Sequence, residues 1–297
     1  MSEFLSQFHS LRELGSQKRR KFGRVYYGIS KVSQQGIVIK SITKTPKNSV
    51  AIAQLHNEAN FNFDFQGLPS GVELFETQDT FYLTKPYIAG ITIDQYWKQL
   101  KKKNRIPFLK TFLEKLSPIL THLETNLIVH GDIKPGNILI KEDSNIELID
   151  FGLATKTDQE NKRKTLFPLG FAAPELILNK LEIANSTTDI YALGITIWHL
   201  FTNEMPLSHP NPSIYTNLLL NLDLPKHSAI NKEIHAILLK MTAKHRFQIP
   251  PNKMSESEVI NLLKMAMSER YQHIDAVSEA FKQIPEKKIF YQRISLR

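Results

Sequence analysis

The sequence predicts an α+β fold in two unequal lobes: a small strand-rich lobe with one main helix over residues 1–88 and a larger, mainly helical lobe over residues 89–285, followed by a short basic tail, 286–297. Three observations predict it. Before residue 88, short runs rich in β-branched and aromatic residues (Gly36–Lys40, Val72–Phe75, Thr80–Thr84) surround one helical stretch, Val50–Phe61, with Ile52, Leu55 and Ala59 at helical spacing. After residue 92 the apolar pattern turns helical: Phe108, Phe112, Leu116, Ile119, Leu120 and Leu123 recur near a 3.6-residue period between Ile106 and Asn126. Between the two patterns of the larger lobe, Ile138–Ile140 and Ile146–Ile149 flank the polar turn Lys141–Asn145 and read as a hairpin.

Composition narrows the function classes. The 297 residues are 41% hydrophobic and 23% charged, the balance of a soluble globular protein. Cysteine is absent, which excludes a disulfide framework, a thiolate metal site and a thiol nucleophile. Met1–Phe8 lacks a basic segment leading into an apolar one, and the apolar-rich run Ile190–Phe201 is too short to span a bilayer, so a cytoplasmic protein is expected, bacterial in flavour and conceivably delivered into a host cell. Lys and Arg outnumber Asp and Glu by 38 to 29, which favours acidic partners. There is no zinc-finger spacing, RNA-binding signature or long basic helix, so nucleic acid is not expected among them.

The chemistry concentrates in residues 130–152. A polar loop, His130-Gly131-Asp132-Ile133-Lys134-Pro135-Gly136-Asn137, enters the hairpin, and Asp150-Phe151-Gly152 leaves it, so the hairpin's open end gathers Asp132, Lys134, Asn137 and Asp150. Phosphoryl transfer needs metal ions against the phosphates, a carboxylate near the attacking hydroxyl and cations on the developing charge. Asp150 and Asn137 suit Mg²⁺, which prefers hard oxygen ligands. Asp132 suits the role of orienting the hydroxyl and taking its proton, with Lys134 beside the transferred group.

This stretch resembles the catalytic and metal-binding loops of the eukaryotic-like protein kinases, and Ala173-Pro174-Glu175 and Leu262–Gln272 resemble that family's later motifs in the expected order. The resemblance implies ATP and Mg²⁺ as cofactors and a hydroxyl of a protein as acceptor. Leu11–Gly28 is similar to the glycine-rich turn over the ATP phosphates, with Gly15, Gly23 and Val25 in place; its middle glycine is replaced by Lys18-Arg19-Arg20-Lys21, which could face phosphates, an acidic substrate or water. Val38 and Lys40 match the strand whose lysine grips the phosphates, and Glu58 matches its helix partner; Asn62 stands where an apolar residue normally stacks on the Phe of Asp-Phe-Gly. Lys85–Gly90 resembles the hinge, with the Pro86 carbonyl and Ile88 N–H toward adenine and Lys85 at the position gating the pocket behind it.

Further departures qualify the expected function. Gly131 replaces the arginine that docks a phosphorylated activation loop, and Pro168 replaces a threonine usual in serine/threonine kinases. Asp189 is expected to hold the catalytic-loop backbone and Arg270 to pair with Glu175. A serine/threonine protein kinase is the reading these motifs favour. A small-molecule phosphotransferase, which shares His-Gly-Asp, and a nucleotide-binding pseudokinase remain open beside it.

Overall fold

The computed structural model describes residues 3–14, 23–158 and 167–285. Gly15, the basic run at 18–21, the stretch 162–165 and the tail from residue 286 lie outside the described residues.

Five antiparallel strands make the N-terminal sheet: β1 (Phe8–Glu13), β2 (Arg24–Ser30), β3 (Gly36–Thr43), β4 (Glu73–Glu76) and β5 (Thr80–Pro86), in the order β1-β2-β3-β5-β4. Alternation assigns the two faces. Ile39 is fully buried on one face, where the 3₁₀ turn Phe4–Gln7 covers it and the Phe4 ring stacks on Tyr82 at 4.3 Å. Directly opposed residues of an antiparallel pair share a face. The registers Val25↔Lys40, Lys40↔Leu83 and Val38↔Lys85 therefore collect Val25, Val38, Lys40 and Lys85 on the other.

That second face meets helix α1 (Ser49–Ala59), two residues shorter at its C-terminal end than the sequence-based stretch. Its buried positions are Ala51, Leu55 and Glu58, one stripe at helical spacing. Ala51 and Leu55 cluster with Ile42, Val72 and Leu83. Glu58 is the polar member of the same stripe, so packing of the two apolar residues carries its carboxylate to the lysines of the sheet.

The larger part contains α2 (Ile93–Gln99), α3 (Arg105–Thr125), α4 (Pro174–Ile177), α5 (Ser186–Thr202), α6 (Pro212–Asn221), α7 (Lys232–Met241), α8 (Glu256–Glu269) and α9 (Ile274–Lys282). Helix α3 accommodates Pro118 in its interior, at a typical cost of ~3 kcal/mol. It also buries Leu109, Phe112, Leu113, Leu116, Ile119, Leu120 and Leu123, each contributing about 1.5–3 kcal/mol, so the apolar stripe decides that it stays helical. Every residue of α5 from Thr187 to Trp198 is buried, which makes it the central helix of this part.

Short strands interrupt the helical pattern: β6 (Ile91–Thr92), β7 (Ile128–Val129), β8 (Ile138–Ile140), β9 (Ile146–Leu148) and β10 (Thr155–Lys156). β6, β8 and β9 form one small sheet, and β7 pairs with β10. Two-residue strands have no period to read, so a sequence-based description of this part as helical omits them. The β8–β9 hairpin pairs Ile138 with Leu148 and is continued by Ile149 N–H donating to the Asn137 carbonyl at 3.0 Å, which brings the residues on either side of the hairpin together.

Candidate active site

The polar loop before β8 is held from below. Both carboxylate oxygens of Asp189, buried in α5, accept backbone hydrogen bonds, from His130 N–H at 2.8 Å and Gly131 N–H at 3.0 Å. His130 is fully buried, and burial pushes its imidazole down to about 4, so it is neutral. Its Nδ1 accepts from the Asp132 N–H at 3.2 Å, and its Nε2–H donates to the Ile149 carbonyl at 3.3 Å. A neutral ring with one donor and one acceptor thus couples the loop to the strand that ends at Asp150.

Asp132 is fixed by one oxygen and open at the other. Its Oδ2 accepts from Lys134 Nζ at 2.6 Å and Asn137 Nδ2 at 2.9 Å, and the same amide nitrogen donates to the Asp132 carbonyl at 2.8 Å. Oδ1 is buried and has no partner among the described residues. Burial raises the Asp132 carboxyl to about 6, against the opposing pull of Lys134. A carboxylate held by two donors with one vacant oxygen is arranged to accept a further proton or hydroxyl donor. Asn137 spends its amide N–H groups on Asp132, which leaves its amide oxygen as the group available to a cation.

The second half of the site is a four-charge chain. Lys40 Nζ lies 2.5 Å from Glu58 Oε2 and 3.0 Å from Asp150 Oδ1. Lys85 Nζ lies 2.8 Å from Glu58 Oε1, so the two lysines take one oxygen each. Burial would lower the Lys40 ammonium, but Asp150 and Glu58 outweigh it and hold it above its ordinary value. Burial likewise would raise Asp150; Lys40, then Lys85 and Lys134, hold it well below the usual carboxylate range. Asp150 is therefore an anion with 42% of its side chain exposed, in a left-handed backbone conformation (φ 72°) that a non-glycine residue adopts only under constraint.

That constraint comes partly from α1. Asn57 Nδ2 donates to the carbonyls of Phe151, Gly152 and Ala154 at 3.2, 3.1 and 2.9 Å, tying the turn after Asp150 to the helix that carries Glu58. Phe151 is fully buried against Phe61 and Phe63, with ring centroids 5.7 and 5.1 Å away. Asn62, between them, instead exchanges hydrogen bonds with the Val72 backbone at 2.7 and 2.9 Å. The apolar contact missing at Asn62 is supplied by its two neighbours, and Asn62 anchors the approach to β4.

Gly23 and Gly131 need no side chain for a backbone reason. Both have left-handed φ, 74° and 72°, and a Cβ would meet the Ser41 carbonyl at 2.7 Å and the Leu153 carbonyl at 3.0 Å respectively. Val25 and Val38 lie on the same sheet face as Lys40. Pro86 ends β5, and Tyr87 N–H donates to the Gly36 carbonyl at 2.8 Å, which fixes where the backbone of Ile88 leaves the sheet.

The protein kinase domain family matches residues 8–283. The chain belongs to that family. Its α+β architecture is the protein kinase fold. Relatives include serine/threonine-protein kinase PrkC of Bacillus subtilis, 30% identical over 200 residues, covering 63% of this chain and 30% of that protein. Serine/threonine-protein kinase B of Synechocystis is 28% identical over 217 residues, covering 67% and 35%. Aurora kinase B of Mus musculus is 23% identical over 253 residues, covering 83% and 71%. The chain thus spans about a third of the length of the two bacterial relatives and most of the third.

Within this protein kinase domain, the sequence-expected Glu58 and Asp150 both contact Lys40, and Lys134 and Asn137 both contact Asp132. Gly15 lies outside the described residues. Sequence reasoning placed Lys85 at the adenine gate but did not foresee its ion pair with Glu58, and it passed over Asn57. No sequence signal marks the first, which is set by the cross-strand register Val38↔Lys85; for the second, only a polar residue next to Glu58 on α1 hinted at a tether.

Proposed function

We propose that this chain transfers the γ-phosphoryl group of ATP to serine or threonine hydroxyls of protein substrates in a magnesium-dependent reaction. The single observation that carries the reading is the half-satisfied Asp132: Oδ2 locked by Lys134 and Asn137, Oδ1 buried and vacant beside them. The names of the bacterial relatives support serine or threonine as acceptor.

Each residue's part follows from its contacts. Asp132 Oδ1 accepts the hydrogen bond of the incoming hydroxyl and then its proton as the new O–P bond forms and ADP departs. Lys134 stabilises the charge of the transferred group. Lys40, oriented by Glu58, exchanges its contact with Asp150 for phosphate oxygens. Asn137 and Asp150 supply the oxygens for Mg²⁺, which when bound neutralises charge on the phosphates. Val25 and Val38, on the sheet face of Lys40, would line the nucleotide, the backbone of Pro86 and Ile88 would meet adenine, and Gly23 would serve the turn over the phosphates, a part the resemblance also gives to Gly15. Gly131 offers no guanidinium to a loop phosphate, so activation does not run through the arginine at that position.

The test is transfer of labelled γ-phosphate to the chain itself and to generic acceptor proteins, with wild type, Asp132→Ala and Asp150→Ala, with and without a magnesium chelator. Acid-stable label on serine or threonine, lost in Asp132→Ala and on chelation while Asp132→Ala still binds nucleotide, is the expected result. Nucleotide binding without label on any protein would sink the assignment.

A further inference from the structure

Lys85 occupies a position built for an apolar side chain. On β5 it follows Leu83 by two, so both lie on the α1 side of the sheet, where Leu83 is fully buried in a cluster with Ile42, Ala51, Leu55 and Val72. Lys85 is buried as well. An ammonium taken that far out of water is retained only where a counter-charge meets it, and its partner among the described residues is Glu58 Oε1, at 2.8 Å. A leucine or methionine would fill the same space without that cost, so packing alone does not account for a lysine here.

The Glu58 carboxylate is shared: Lys85 takes Oε1, and Lys40 takes Oε2 at 2.5 Å. With one lysine the pair would be neutral; with two, the group carries a net positive charge. Side-chain exposure is 9% at Lys85, 20% at Lys40 and 42% at Asp150, so Lys85 stands behind Glu58 and Lys40 is the cation nearer the surface. The two lysines are diagonal neighbours on adjacent strands, since Lys40 opposes Leu83, and the carboxylate between them relieves their repulsion. Fixed at Oε1, that carboxylate does not turn when Lys40 gives up Asp150. With its charge met from behind, it also draws less on the charge of Lys40.

We propose that Lys85 is a positioning residue for the phosphates of the nucleotide: acting through Glu58, it fixes the orientation of Lys40 and offsets the carboxylate, so that Lys40 presents its full charge to the polyphosphate. The identity of the ligand rests on the proposed ATP-dependent reaction; the role of Lys85 follows from its own contacts. A charge set in place before the ligand arrives needs no reorganisation when the phosphates bind.

Calorimetric titration of the full chain with adenosine, ADP and ATP, in buffer containing magnesium, reads this role without requiring turnover. Lys85→Met should weaken ADP and ATP about tenfold and leave adenosine within about twofold of wild type. Adding Glu58→Gln to Lys85→Met removes the carboxylate that has lost its inner cation. ATP affinity should then return to within about threefold of wild type, because an amide oxygen still receives Lys40 and no uncompensated charge opposes the phosphates. Lys85→Gln, which keeps a donor but no charge, stands in if Lys85→Met does not fold, with the same split between nucleoside and nucleotides expected. Equal weakening of adenosine and ATP, or weakening of neither, makes Lys85 a packing residue and overturns the proposal. A double variant as weak for ATP as Lys85→Met overturns it too, since Lys85 would then act on the phosphates directly and not through Glu58. If nucleotides bind with the expected split but no protein is labelled, the proposed phosphoryl transfer alone fails; if the wild type binds no nucleotide, both fail.

Discussion

Two buried glutamates, one paired with a single arginine and the other set between two lysines, show how differently one chemistry can be used in one chain. Glu175 and Arg270 are completely buried and saturate each other: Arg270 Nη1 and Nη2 reach the two carboxylate oxygens at 2.6 and 3.0 Å. Arg270 Nε and Nη1 also donate to the Ala243 and Thr187 carbonyls, Thr188 Oγ1 adds a bond to Oε1, and the guanidinium lies 4.9 Å from the Tyr191 ring centre. Glu58 is also buried, but one of its two lysines, Lys40, runs outward to Asp150, whose side chain is 42% exposed. The first cluster is closed and has nothing left to offer a ligand; the second ends in a charge that a ligand can take over. Closure makes a lock, and an open end makes a site.

The largest effect is expected where the closed cluster is broken. Arg270→Met leaves Glu175 charged and unpaired in the interior, which should cost about 3–5 kcal/mol of folding stability. Chemical denaturation of the two proteins side by side measures it, and a loss under about 1 kcal/mol would mean that the pair is not closed in solution.

The same operation on the open cluster should separate activity from stability. Lys40→Met leaves Glu58 paired with Lys85, so unfolding should shift by no more than about 1–2 kcal/mol. Phosphoryl transfer, under the proposed function, should fall at least about a hundredfold, the scale of losing one preorganised charge contact. Equal destabilisation by Lys40→Met and Arg270→Met would erase the distinction. Lys85→Met removes the other lysine and should be milder: Lys40 keeps its direct contact, but Glu58 Oε1 loses its buried donor and Lys40 its fixed orientation. A roughly tenfold loss of transfer is expected, read as a rise in KM for ATP greater than the fall in kcat.

The two clusters also differ in how much of them the sequence displays. Asp132, Asn137 and Asp150 are legible because a local hairpin joins them, whereas Lys40 with Glu58 and Glu175 with Arg270 are legible only through the resemblance of their motifs to the protein kinases. Lys85 is different. Its partner is set by the cross-strand register Val38↔Lys85 and by the depth at which α1 packs, neither of which a one-dimensional pattern carries. Phe61 and Phe63 reach Phe151 through a short loop after α1 that has no period, and the cover of Phe4 over Tyr82 joins residues far apart in the chain.

The smallest expected effect tests whether the open cluster is held open by its neighbour. Asn57 contributes only its amide N–H groups to the carbonyls of Phe151, Gly152 and Ala154, in a partly buried position, so Asn57→Ala should cost about 0.5–1.5 kcal/mol. That loss should be local. Amide hydrogen exchange should accelerate from Phe151 to Ala154, whose carbonyls lose their tether, while the sheet and the Glu175–Arg270 region keep their protection. Asn57→Asp sharpens the point, because a carboxylate has no N–H to give and would set a negative charge against three carbonyl oxygens. It should therefore be worse than alanine in both exchange and transfer, although it is the closer match in shape. If aspartate were tolerated as well as asparagine, the three carbonyl contacts would carry no energy, and the left-handed turn at Asp150 would have to be held by the packing of Phe151 alone.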